Sequence, residues 1–428
     1  MKKRMNPGRI IALGFFTIIL IGTFLFMLPI STENGVQLDF SDAVFTATSA
    51  VCVTGLSVFD PGTTLSVFGK IVLGVLIQLG GLGFACISVG IVMLTGQKVF
   101  MRQRSLVKES LNYNSHGGIL SIVKFVIATT AIIEFMGIVL NLLFLIKKYD
   151  FIKALGISVF HTVSSFNNAG FDIFGNGNSV ALYKGNLFFI IVTSLLIILG
   201  GIGYFVIKEV ISKLRIKKYT LHTKVVLCTT VLLLVAGTVL LKFLGNYSWL
   251  DAFFMSTSTR TAGFSTVDLQ NIPNAAYAIY ILLMFIGASP NSTGGGIKTT
   301  TFFVVIAALY SYSSSKRPTV FKKTLAKDIL YKSFIIFTMG IAVVASTTFL
   351  LCIFEPSMNY KDLLYEAVSA FATVGLSTGI TPELSGIGKY IIVITMFIGR
   401  IGPLTVASIW FFKKQPSVSY AEDTLTLG

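Results

Sequence analysis

Asp362-Leu-Leu-Tyr-Glu-Ala-Val-Ser-Ala-Phe-Ala-Thr-Val-Gly375-Leu-Ser377 reads as a short helix that ends in a glycine turn. Three other stretches share its outline: Asp42 to Ser57 around Gly55, Phe160 to Asp172 around Gly170, and Asp251 to Ser265 around Gly263. Ten residues before each glycine stands an aromatic ring: Phe45, Phe160, Phe253 or Tyr365. Six residues before it stands a hydroxyl: Ser49, Ser164, Thr257 or Ser369. A large apolar residue follows it: Leu56, Phe171, Phe264 or Leu376. Agreement at three positions in four places marks an internal repeat, a frequent architecture among membrane transporters.

Working outward, long apolar runs flank every copy. They cover roughly 10–30, 66–95, 119–146, 186–211, 224–244, 275–310, 329–354 and 387–412. Each approaches or exceeds the ~20 residues that cross a bilayer core. The expectation is an all-α membrane protein with eight transmembrane helices and four re-entrant pore helices. Its four helix–pore helix–helix repeats would surround a pseudo-fourfold pore. The repeats would occupy 1–97, 98–214, 215–314 and 315–412, leaving 413–428 as a cytoplasmic tail. Composition agrees: 54% of the 428 residues are hydrophobic and 12% charged, where a soluble domain carries about 25% charged. Soluble multidomain and disordered readings are thereby excluded. The first apolar run has no small-residue cleavage site after it, so it reads as a retained membrane helix.

The net charge of +16 is a topology signal. Lys2, Lys3, Arg4 and Arg9 precede the first run. Lys98, Arg102, Arg104, Lys108 and Lys124 follow the second. Lys208, Lys213, Arg215, Lys217, Lys218 and Lys224 follow the fourth, and Lys316, Arg317, Lys322, Lys323, Lys327 and Lys332 the sixth. Lys413 and Lys414 close the set, which holds 23 of the 34 basic residues. The positive-inside rule places these loops and both termini in the cytoplasm of a multi-pass cell-membrane protein. No nucleic-acid-binding motif accompanies the basic excess. Cys52, Cys86, Cys228 and Cys352 form no CxxC pair, so neither a disulfide framework nor a zinc site is expected.

Four re-entrant turns around one axis would enclose a narrow path. Carbonyl oxygens there could replace the hydration shell of an alkali cation, and glycine permits the backbone dihedrals such a turn needs. The candidate ion-binding residues are Val53, Thr54 and Gly55; Asn168, Ala169 and Gly170; Thr261, Ala262 and Gly263; Thr373, Val374 and Gly375. The last triplet resembles the potassium-channel filter TVGYG. Only one glycine is kept per copy, which implies a shorter filter and looser selectivity.

The second helices carry a further aligned glycine: Gly80, Gly200, Gly287 and Gly399. In Gly80-Gly-Leu-Gly83 and Gly200-Gly-Ile-Gly203 the small residues suggest close helix packing. The third copy departs, with Gly287-Ala-Ser289-Pro290-Asn291-Ser292-Thr293-Gly294-Gly295-Gly296-Ile-Lys298. Proline and a triple glycine cannot hold a regular helix. A mobile loop that obstructs the path is the functional reading, with Asn291, Ser292 and Thr293 holding it closed; a buried kink is the alternative. Arg400 follows the aligned glycine of the fourth copy, at the expected depth of that loop, where a cation is costly unless functional. It would repel passing cations and pair with loop carbonyls, whereas Lys298 can snorkel more easily. Glu134 is expected to be structural, with an ion ligand as the alternative, Asp172 to attract cations at the outer mouth, Arg260 to prop the filter by hydrogen bonds, and His161 to be packed.

Val-Thr-Gly-Leu, Asn-Asn-Ala-Gly-Phe, Arg-Thr-Ala-Gly-Phe and Thr-Val-Gly-Leu, with Gly-Arg-Ile-Gly-Pro after them, resemble the membrane subunits of the Trk/Ktr/HKT potassium transporter superfamily. Length and the short N-terminus are most similar to the KtrB type. The resemblance implies potassium uptake, usually sodium-dependent, with K+ as the transported ion and Na+ as coupling or activating ion. It implies a homodimer in the lipid bilayer, docked on a cytoplasmic ATP- or ADP-binding regulatory ring of KtrA or KtrC type. The broken helix at 287–298 would be an intramembrane gate with Arg400 beside it. Sodium transport is the alternative, since related members carry sodium. A membrane enzyme would need paired carboxylates, a metal cluster or a nucleophile–base pair, and a signalling anchor a sizeable soluble domain; the chain shows neither, nor a nucleotide or other organic-cofactor fold.

Overall fold

In the computed structural model, residues 7–95, 99–110, 118–175, 180–213, 215–403 and 405–406 are described. The N-terminal basic residues 1–6, Lys98 and the tail 413–428 fall outside them.

Four long apolar helices recur along the chain: Pro7–Phe26, Ile119–Leu145, Leu221–Leu244 and Lys327–Phe354. Each is long and apolar enough to cross a membrane. Their outward faces carry exposed large apolar side chains such as Phe16, Phe135, Val235 and Phe349, the surface a lipid-facing helix presents. This is an all-helical membrane protein.

A shorter helix follows each long one: Phe40–Cys52, Phe151–Phe166, Trp249–Ser258 and Tyr360–Ala372. The longest has 16 residues, short of a crossing, and these four lie at the centre of the molecule. Phe45, Phe254 and Tyr365 in them are fully buried. Each central helix ends in one of the glycine turns.

The second helices begin after the turns. Ser66, Asn186 and Ser385 cap them, each accepting from the backbone N–H three residues on, as N-cap side chains do. Two are bent. Val67–Leu82 turns by 96° into a following helix that begins at Phe84, and Leu187–Ile202 by 98° into Tyr204–Ser212. Gly83 and Gly203, with φ of 80° and 98°, form the corners, a conformation that costs glycine little. Gly402 takes the same conformation after Gly386–Ile401. The third second helix is broken into Asn274–Phe285 and Thr299–Ser313. Among the described residues, four to six spans satisfy length and composition, the larger number counting each bent pair as one.

The sequence reading missed these bends, because it assigned the Gly80 and Gly200 motifs wholly to packing. It also missed a small hairpin. Thr319–Val320 pairs antiparallel with Lys323–Thr324. Phe321 and Lys322 between them both have positive φ, as a two-residue hairpin turn requires.

Candidate functional site

The four turns form a closed ring. A Cβ built on Gly55 would strike the Ala169 carbonyl and lie 3.0 Å from the Gly170 Cα. One on Gly170 would lie 2.8 Å from the Ala262 oxygen and 3.0 Å from the Gly263 Cα. One on Gly263 would strike the Val374 carbonyl, and one on Gly375 the Thr54 carbonyl, 3.0 Å from the Gly55 Cα. The cycle therefore runs 55, 170, 263, 375 and back to 55. Each glycine sits against the carbonyl of the residue before the next one. Val53, Thr54, Asn168, Ala169, Thr261, Ala262, Thr373 and Val374 are fully buried, while the four glycines retain some exposure.

Two residues before each glycine the backbone is left-handed: φ is 57° at Val53, 59° at Asn168, 77° at Thr261 and 51° at Thr373. Three of these side chains are β-branched, for which this region is strained. Hydrogen bonds back to the central helices hold the strain. The N–H groups of Thr54, Ala169 and Val374 donate to the carbonyls of Ser49, Ser164 and Ser369 at 2.8, 2.8 and 2.9 Å. The same serines pin the turns by their hydroxyls. Ser49 Oγ donates to the Leu56 carbonyl at 2.7 Å and Ser164 Oγ to that of Phe171 at 2.6 Å. The N–H groups of Gly55 and Gly375 donate to Ser49 and Ser369 Oγ, both at 3.1 Å.

The third turn corrects the sequence alignment. Its pin is Ser258, whose hydroxyl donates to the Phe264 carbonyl, and the Ala262 N–H donates to the Ser258 carbonyl. Thr257, the aligned residue, spends its hydroxyl on Phe253 O within the helix, 2.9 Å away. The third central helix is one residue shorter between its buried ring and the glycine. Phe254 and Ser258 thus replace the expected Phe253 and Thr257.

Below the ring, the aligned glycines of three second helices touch the ends of the central helices. A Cβ on Gly80 would strike the carbonyl of Val51, on Gly200 that of Phe166, and on Gly399 that of Phe371. Gly287 instead meets Gly295 of its own broken segment. That segment lies against the ring. Gly294 packs on the Thr261 side chain and Gly295 on Thr373, both without room for a Cβ, while Gly296, with φ of 70°, lies tightly against Ala372. The triple glycine therefore serves close approach, where the sequence reading saw only freedom from packing.

Neighbouring groups take up the loop's backbone. Ser289 and Thr293 N–H donate to Gly201 and Gly200 carbonyls at 3.0 and 3.2 Å, and Tyr204 N–H donates to Asn291 O at 3.0 Å. Thr293 Oγ1 donates to Phe166 O at 3.2 Å. Ser292 bonds within the loop, to Ser289 O at 2.6 Å, and Thr299 Oγ1 donates to Ser289 Oγ at 3.1 Å. Pro290 presents its carbonyl to Gly203. Two cations finish the set. Arg400 donates to the carbonyls of Thr293 and Gly80, and to Gly81 O at 3.3 Å. Lys298 Nζ donates to Gly294 O at 2.7 Å. Lys298 is turned onto the loop and does not snorkel.

Glu134 is joined with Gln78 and Asn167. Gln78 Nε2 donates to Glu134 Oε2 at 3.2 Å, and Asn167 Nδ2 donates to Glu134 Oε1 and Gln78 Oε1 at 3.1 and 2.7 Å. This ties the end of the second central helix to two neighbouring helices. His161 is packed, stacked on Phe189 at 4.9 Å between ring centroids, with Nε2 3.0 Å from Thr193 Oγ1. Arg260 departs from expectation. It is 7% exposed, and its buried Nε meets no hydrogen-bond partner among the described residues.

The model of the TrkH family, described as a cation transport protein, matches residues 14–247 and 233–422. The chain belongs to the TrkH cation transport family. It is thus a multi-pass membrane transporter and no enzyme. Relatives agree along the full length of this TrkH-family chain. It is 38% identical to Ktr system potassium uptake protein B of Bacillus subtilis, over 99% of this chain and 97% of that one. It is 34% identical to the potassium/sodium uptake protein NtpJ of Enterococcus hirae, over 100% and 98%. The crystal structure of the potassium transporter TrkH from Vibrio parahaemolyticus superposes with a TM-score of 0.75 at 16% identity, covering 96% of this chain and 86% of that one. This last match establishes the fold.

Proposed function

We propose that this chain takes up potassium through the ring of four turns, and that the loop between Ile286 and Lys298 is the gate beneath it. The closed cycle of Gly55, Gly170, Gly263 and Gly375 carries the reading. Four buried turns that expose only their glycines, with carbonyls brought beside them, provide the oxygen-rich constriction an alkali cation needs. Val53, Thr54, Asn168, Ala169, Thr261, Ala262, Thr373 and Val374 complete the filter. The gate comprises Gly287, Ser289 to Gly296, Lys298 and Arg400. The chain then forms four repeats, 1–97, 98–214, 215–314 and 315–412, with eight crossings around a pseudo-fourfold axis and both termini cytoplasmic.

Relatives named as potassium uptake proteins support potassium. The relative named for both ions favours a second reading, in which sodium also passes. Sodium as activating ion, a homodimer, and a nucleotide-binding ring of KtrA or KtrC type against the basic loops 208–224 and 316–332 complete the proposal. Purified protein in liposomes tests it through uptake of K+ in competition with Na+. Gly375→Ser should lower the apparent K+ affinity at least ~tenfold, about 1.4 kcal/mol, or let Na+ compete. Substitutions at all four glycines that leave uptake and preference unchanged would reject the filter. Neutralising both basic loops should abolish co-purification of the ring subunit; retained binding would reject that interface.

A further inference from the structure

Glu366 lies in the fourth central helix and is fully buried. Its Oε1 accepts from Thr381 Oγ1 at 2.5 Å. Thr381 Oγ1 also lies 3.0 Å from Ser377 Oγ, which accepts from the Gly379 N–H at 3.0 Å. Ser377 stands two residues after Gly375. The carboxyl is therefore linked, through two hydroxyls, to the arm by which the chain leaves the fourth turn. Its other oxygen, Oε2, is buried without a partner.

The third central helix shows this position facing the same arm. Met255 corresponds to Glu366 once the one-residue offset of the third helix is applied. Ser265, two residues after Gly263, lies 3.7 Å from its sulfur. Thr46 occupies the position in the first helix, buried with its hydroxyl unpartnered, and His161 in the second. The layer behind the turns thus holds threonine, histidine, methionine and glutamate. The fourth arm receives a hydrogen-bonded carboxyl where the third receives a thioether.

We propose that Glu366 is a positioning residue that sets cation preference, holding the outer arm of the fourth turn through Thr381 and Ser377. The inference rests on the filter reading above. A carbonyl site that prefers one ion needs its oxygens held in place; the bonds from Ser369 reach the N–H groups of Val374 and Gly375, before the arm begins, so the arm needs support of its own. Bonds from behind supply it. A buried carboxyl is costly to retain, so its hydrogen-bonded place against the arm calls for a role that an apolar side chain cannot fill.

The test is K+ uptake by reconstituted protein in competition with Na+, read as the ratio of the two apparent affinities. Glu366→Met removes the acceptor at similar volume and should lower the ratio roughly fivefold, about 1 kcal/mol. Thr381→Val, which keeps the carboxyl and removes the link, should act in the same direction. Glu366→Gln keeps an acceptor for Thr381 and should stay within about twofold of the parent. An unchanged ratio in Glu366→Met and Thr381→Val at normal membrane abundance overturns the inference. So does a Glu366→Gln protein as impaired as Glu366→Met, since charge would then be the active property. Should Glu366→Met not accumulate, Thr381→Val alone decides. Gly375→Ser in the same assay separates the two readings: if it alters the ratio while Thr381→Val does not, the filter stands and the role of Glu366 falls.

Discussion

The second helices of the second and third sets perform one task with different backbones. In the second, Leu187–Ile202 turns 98° at Gly203 and continues as Tyr204–Ser212. In the third, the helix stops at Phe285 and resumes at Thr299. A single positive-φ glycine changes direction at the loss of few helical bonds. A loop leaves a run of backbone groups unpaired, and at membrane depth the protein itself must satisfy them. Lys298, Arg400, the Tyr204 N–H and the carbonyls of Gly200 and Gly201 do so. The glycine contacts differ accordingly. Gly200 is wedged on Phe166 at the end of a central helix, whereas a Cβ on Gly287 would meet Gly295 and Gly296 of its own loop first. The bend belongs to the scaffold; the loop is separable from it.

Deleting Ser289–Gly295 breaks this comparison most severely. Ile286 and Ile297 are paired to each other, so a shortened connection can close without displacing the helices. Flux should rise at least ~tenfold, equivalent to removing about 1.4 kcal/mol of barrier, with K+-over-Na+ preference retained. Uptake that stays the same or falls, in protein of normal abundance, would show the loop to be scaffold after all.

Arg400→Ala should have the next largest effect. Arg400 joins the loop to the first set through Thr293, Gly80 and Gly81. Its removal takes away a buried positive charge and an anchor, while Lys298 still holds Gly294. A rise of roughly threefold to tenfold is expected, from the loss of a charge-assisted bond of about 1.5–3 kcal/mol partly offset by the remaining contacts. Loss of the protein from the membrane would instead make Arg400 a structural cation that satisfies the loop's carbonyls.

A matched pair sharpens the contrast. Gly200→Ala forces a methyl onto the Phe166 carbonyl and should cost about 1–3 kcal/mol of stability, read as a lower thermal midpoint in detergent. Gly287→Ala presses on Gly295 and should loosen the loop, raising flux about twofold with the midpoint nearly unchanged. The reverse pattern would mean that loop and bend are equally built into the scaffold.

How much of this was legible in the sequence depends on reach along the chain. The glycine turns were readable because each is specified by neighbours within about ten residues, repeated four times. The break at Pro290 was readable because proline and consecutive glycines forbid a helix locally. The corners at Gly83, Gly203 and Gly402 were present as aligned glycines, but a glycine in an apolar run signals packing and bending alike. Contacts between distant segments left no local trace: Arg400 on Gly80 and Thr293 on Phe166. Lys298 folds back onto Gly294, four residues away, in place of snorkelling, a choice that the sequence pattern does not decide. The buried Nε of Arg260, without a partner among the described residues, also had no signature, for a buried arginine is ordinarily paired.

A last pair of substitutions separates alignment from structure in the third turn. By spacing, Thr257 matches Ser49, Ser164 and Ser369. By hydrogen bonds, Ser258 does, because it reaches Phe264 O while Thr257 stays within its helix. Ser258→Ala deletes one buried bond behind a strained turn. A single bond of this kind contributes about 0.5–1 kcal/mol, so the K+-over-Na+ affinity ratio should fall about twofold to fivefold. Thr257→Ala removes a hydroxyl that serves only its own helix and should leave the ratio unchanged. Equal effects would mean that both hydroxyls hold the turn. An effect confined to Thr257 would restore the spacing rule and remove the one-residue offset, and with it the equivalence of Met255 and Glu366. The pair of substitutions therefore tests the register on which the comparison of the four turns depends.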